Sequence, residues 1–141
     1  MYSYRKLVAM VERLEKAKTE EEIKKIASEE LEVWTIINDE IRKIARKLRD
    51  AGILTKEEAI RIIDFQNSCE IIKSNLEWIV IPNRYVKKSI PELVAGLRDY
   101  ILPEYKKRLG WVIDKLGDKL EHVKREFKEL KVDVGELRTL E

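Results

Sequence analysis

One short signature occurs three times and divides the chain: "TEEE" at 19–22, "TKEE" at 55–58 and "SIPE" at 89–92. In each, a hydroxyl can accept from the backbone N–H three residues on, while the glutamate there reaches back to the hydroxyl residue's own N–H. That reciprocal pair satisfies two donors a helix start leaves over, so each signature predicts a helix N-terminus. Pro91 sits in the first turn, where a missing N–H costs nothing. "DAG" at 50–52 closes the helix before the second signature, because Gly52 can take the left-handed conformation that ends a helix. The helices on either side are joined by a few residues and should therefore lie antiparallel. With only five glycines and three prolines in 141 residues, the chain is expected to be all-α. The expected fold is a single-domain antiparallel helical bundle of about five main helices over residues 1–141.

Apolar spacing fills in the helices. The first is expected from about Tyr2 to Lys16, with Tyr4, Leu7, Val11 and Leu14 on one face. The second carries a seam of Trp34, Ile37, Ile41, Ile44 and Leu48. The third, residues 56–81, must stop before Pro82, which excludes helical geometry from its predecessor. Pro103 predicts a break near Leu102, since an interior proline costs about 3 kcal/mol. A fifth helix follows, with its seam on Leu109, Ile113, Leu116, Leu120, Val123, Phe127 and Leu130, and Asp133 could cap a last turn carrying Leu137 and Leu140.

The third helix is the unusual one. At 100° per residue its apolar positions fall into two stripes. One holds Ile62, Phe65, Cys69, Ile72, Leu76 and Ile79. The other, on the far side, holds Ile60, Ile63, Asn67, Ile71, Ser74, Trp78 and Ile81. Between them run Glu70, Lys73 and Glu77 on one side and Arg61, Asp64, Ser68 and Asn75 on the other, so the helix is not buried all round. Two stripes require two sets of neighbours, and the helix is expected to be central in its fold or at a subunit interface. Asn67 and Ser74 lie one heptad apart in the second stripe. Either both simply satisfy helix carbonyls or trapped water, or they specify a subunit contact, where a seam asparagine fixes register and partner number and a small serine lets backbones approach, or they line a ligand pocket.

Little else points to chemistry. Basic and acidic residues number 29 and 27, giving no global field toward nucleic acid or lipid. There is no glycine-rich phosphate loop, nucleophile elbow or paired Glu-x-x-His motif. His122 is the only histidine, flanked by Asp118 and Glu126, and reads as a solvated side chain because tight metal sites want three or four converging ligands. Cys69, the single cysteine, has no cationic neighbour at helical spacing and reads as a small apolar group. No catalytic residue, metal ligand or cofactor is expected, and the chain reads as non-enzymatic. The charged N-terminal stretch and the short apolar runs suggest neither a signal peptide nor a membrane span, and place the chain in the cytoplasm. Abundant Lys, Glu and Ile with a single Gln hint at a thermophilic source.

Two further features concern surfaces. Trp111 falls opposite the seam of the last helix, where something must cover it, either another part of the chain or a partner. Arg84, Tyr85, Lys87 and Lys88, then Tyr105, Lys106, Lys107 and Arg108, interleave cations with aromatics in the manner of a nucleic-acid contact, although Glu92, Asp99 and Glu104 interrupt them. The first functional reading is an interaction or assembly protein, a homodimer using Asn67, Ile71, Ser74, Trp78 and Trp111. The alternative is a nucleic-acid accessory protein touching its ligand through Arg84, Lys87, Lys88, Lys106, Lys107 and Arg108. The third is a small-molecule binder or enzyme with an inter-helix pocket.

Overall fold

In the computed structural model, residues 4–81 and 85–126 are described, except the side chains of residues 113, 116–118 and 120–126. Arg84, the residues from Phe127 onward and the side chains of Ile113, Leu116, Leu120, His122 and Val123 therefore lie outside the description. The elements are α1 (Tyr4–Lys16), α2 (Glu20–Asp50), α3 (Lys56–Val80), α4 (Ile90–Gly96), a π-helical turn (Leu97–Ile101) and α5 (Leu102–Glu126). No strand occurs among the described residues, and the fold is an all-α bundle.

Each signature starts its helix as expected. Thr55 with Glu58 and Ser89 with Glu92 form reciprocal boxes, whereas Thr19 accepts from the N–H of Glu22 but the Glu22 carboxylate takes the N–H of Lys18 in place of that of Thr19. Past α2, Gly52 adopts φ 69°, and the N–H groups of Gly52 and Ile53 bond to the carbonyls of Arg49 and Leu48. This left-handed closure turns the chain back within five residues, so α2 and α3 pack antiparallel. Helix α3 ends at Val80, and Ile81 is extended, as a residue before proline must be.

The expected break near Leu102 does not occur. Residues 90–126 form one continuous rod because the backbone widens into a π turn just before Pro103. A proline four residues after Asp99 cannot donate to that carbonyl, and its ring would crowd it. One extra residue in the turn relieves both problems, and Leu102 bonds back to Leu97 instead. The bundle thus has four rods rather than five helices.

The core gathers where the rods meet. Leu7, Met10 and Leu14 of α1, the α2 seam, the first α3 stripe, and Leu97, Leu109 and Val112 are all buried. At its centre Tyr105 of α5 stacks near Tyr4 at 6.5 Å, meets Trp34 edge-on at 5.8 Å and touches Phe65 at 5.4 Å, joining four helices. Such aromatic pairs contribute about 0.5–1.5 kcal/mol each beyond the area they bury. Tyr105 therefore does not belong to a surface aromatic series. Its place four residues before Leu109 continues the seam, a cue that the basic run around it obscured.

Candidate interaction surface

Helix α3 lies between α2 on one flank and α5 on the other, and polar residues pin both contacts. Toward α2, buried Asn38 donates from Nδ2 to Glu70 and accepts at Oδ1 from Gln66 at 3.1 Å, while Arg42 Nη2 reaches the same Glu70 Oε2 at 3.3 Å. Toward α5, Arg108 Nη1 donates to the Asp64 carbonyl at 3.1 Å and to buried Ser68 Oγ at 2.8 Å. Asn75 donates to the Leu93 carbonyl at 3.2 Å and fastens α4. Lys119 joins the Ile53 carbonyl at 2.9 Å and the Glu58 carboxylate, so the last rod is tied to the cap of α3. Hydrogen bonding from Lys119 holds the Glu58 carboxyl below the usual carboxylate range. The polar strips between the stripes are therefore largely inter-helix fastenings.

The two apolar stripes part company. Ile62, Phe65, Cys69, Ile72, Leu76 and Ile79 are each at most 2% exposed, whereas Ile60, Ile63 and Ile71 are 52%, 45% and 47% exposed. Asn67 is also exposed, and Ser74 and Trp78 are half-buried. Trp78 borders a hollow with Glu20 and Lys24 of α2 and with Val86, Ile90 and Leu93 beside the α3–α4 connection. Asn67, Ile71, Ser74 and Trp78 thus share one outward face, which the described helices flank but leave open to solvent. Helix α3 is central only on its inner side.

Trp111 does not join that face. It lies in a cleft of about 220 Å³ between α3 and α5, lined by Arg61, Asp64, Glu104, Lys107 and Arg108. The Arg61 guanidinium sits 5.4 Å from its ring centroid, a cation–π contact that half-buries it. Arg61 of α3 supplies that cover from within the chain.

The basic residues disperse as well. Lys106 lies 5.6 Å from the Tyr4 ring, and Arg108 is spent on α3 and, at 3.7 Å, on Glu104. Lys107 borders the Trp111 cleft, and Lys88 borders the Trp78 hollow beside exposed Lys87. Among the described residues, Lys88, Lys106, Lys107 and Arg108 thus have different neighbours. Burial pushes the Cys69 thiol far above its ordinary range, so it stays protonated. Among the described residues no group of three His, Cys, Asp or Glu side chains could hold a metal, and no helix is long and apolar enough to cross a membrane. A second cleft, about 400 Å³ between α1 and α2, has Arg13 within 3.3 Å of Glu30 and 3.7 Å of Glu29 along it.

The signals for Asn38, Gln66 and Glu70 as a cluster were absent from the sequence, because the three come together only when α2 and α3 dock in this register. Searches against family models, curated proteins and solved structures found no match to this chain.

Proposed function

We propose that this chain is a non-enzymatic assembly protein that associates with itself through the outer face of α3. One observation carries the reading: Ile60, Ile63 and Ile71 stand about half exposed in a row on a helix whose other face is fully packed. Apolar rows of this kind on a soluble surface mark interaction sites. Covering the still-wet half of each isoleucine yields about 1 kcal/mol apiece, a gain available only when another surface arrives. The flanking polar residues are tied into the fold, which keeps the face rigid and lowers the ordering cost of docking.

Light scattering over a dilution series tests this. The mass should rise from monomer to dimer with concentration, and Ile71→Asp should hold the chain monomeric at every concentration. A wild-type chain that stays monomeric throughout would overturn the reading.

A further inference from the structure

We propose that the cleft between the C-terminal half of α2 and the first turns of α3 is a docking groove for an acidic, amphipathic helical segment of a partner protein, a site separate from the self-association reading above. The groove has a volume of about 230 Å³. Arg42, Arg46 and Arg49 form one wall, and Leu54, Ala59 and Ile63 line the floor and the opposite rim. The clefts beside Trp111, Arg13 and Trp78 each include a glutamate. Among the described residues that line this groove, none is acidic.

Helix-end electrostatics accounts for only part of the wall. Residues 42–49 hold five cations and no carboxylate. A helix dipole favours positive charge over the last turn alone, which covers Lys47 and Arg49 and leaves Arg42 and Arg46 without that reason. Steps of four and three put Arg42, Arg46 and Arg49 on one ridge, about 6 and 4.5 Å apart along the axis. Arg46 is exposed and has no ion pair among the described residues. Arg42 reaches Glu70 through Nη2 at 3.3 Å, and Arg49 meets its sequence neighbour Asp50 at 3.5 Å, with side chains 63% and 66% exposed. A guanidinium is a planar fork of donors that fits a carboxylate, so all three keep donors to spare.

The layout selects the occupant. A lone anionic head group, as on a fatty acid, needs one cation, and here three stand in a line. Carboxylates at i, i+4 and i+7 of a partner helix repeat the intervals of the wall, so each meets its own guanidinium when that helix lies along α2. Nucleic-acid phosphates would also meet a row of cations, but Leu54, Ala59 and Ile63 offer no ring on which a base stacks. They suit aliphatic side chains instead. Ile63 is 45% exposed and Leu54 and Ala59 are half-buried, so an arriving leucine removes further apolar surface from water. Gln66, at the inner end of the groove, is held by Asn38, which also bonds Glu70, so the two walls are fixed before anything docks.

Fluorescence anisotropy on the full chain tests the assignment. The probe is a labelled helical peptide of about 18 residues, with glutamates at those intervals and leucines on the adjoining stripe. It should bind the wild type, and added salt should weaken it. Arg46→Glu should cut affinity about tenfold or more and Arg46→Lys by less, while Lys18→Glu, the same charge change beyond the far end of α2, should leave it unchanged. Exchanging the peptide's leucines for serine should also cost about tenfold or more on the wild-type chain, an arm that needs no protein variant. No binding at about 1 mM peptide would overturn the proposal. So would equal losses from Arg46→Glu and Lys18→Glu, or indifference to the leucine exchange, either of which means a general attraction of charge. Tighter binding of a single-stranded oligonucleotide of equal charge would reassign the arginine row to nucleic acid. Self-association is read without peptide, by light scattering, so either proposal can fail alone.

Discussion

The inner and outer faces of α3 carry the same residue type at the same spacings and have opposite fates. Ile72 is fully buried, and its sequence neighbour Ile71 is half in water. The difference is not in the helix but in its neighbours. Rods α2 and α5 each pin one flank of α3, and among the described residues the four rods enclose only its inner side. Helix α3 is patterned for two interfaces and the described rods supply one, which is the contrast the assembly proposal rests on.

The largest effect that would test this contrast is stability in dilute solution. Ile72→Ala should cost about 2–5 kcal/mol in urea denaturation, through lost burial and a cavity. Ile71→Ala should stay within about 0.5 kcal/mol under the same conditions and should act only on association. Equal losses at both positions would show that the outer face is packed after all. Next comes the polar seam that sets the α2–α3 level. Asn38→Ala strips Glu70 and Gln66 of their shared partner, and should lower stability by about 1–3 kcal/mol in the same assay.

The smallest effect lies at the polar end of the inner face. Lys119 lowers the folded-state pKa of Glu58, so the stability this carboxylate contributes is complete above the ordinary carboxylate range and fades as pH falls through the folded value. Acidification should therefore shift the denaturation midpoint slightly downward, and Lys119→Met should remove that part of the pH dependence.

Much of the fold was legible because its signals are local. The Thr19, Thr55 and Ser89 caps, the Gly52 turn and the seams of α1 and α2 each act within a few residues. The Pro103 expectation failed for a different reason. A π turn absorbs the proline with one extra residue, and the Leu97–Ile101 sequence bears no mark of that register change. Both α3 stripes were visible from spacing, and so were Asn67, Ile71, Ser74 and Trp78 as companions on one face. Trp111 was rightly seen to need cover, yet Arg61 comes from another rod and could not be named in advance. Tyr105 was misplaced among surface groups because its lysine and arginine neighbours outweighed its position in the seam.

By itself the sequence determined where helices start, where they stop and which residues of each share a side, because caps and periodicity are settled by neighbours along the chain. Only the tertiary structure decided which side of α3 became core. Burial depends on how many rods can crowd round one helix, and the polar fastenings through Asn38, Asn75 and Arg108 commit the neighbouring rods to the inner side.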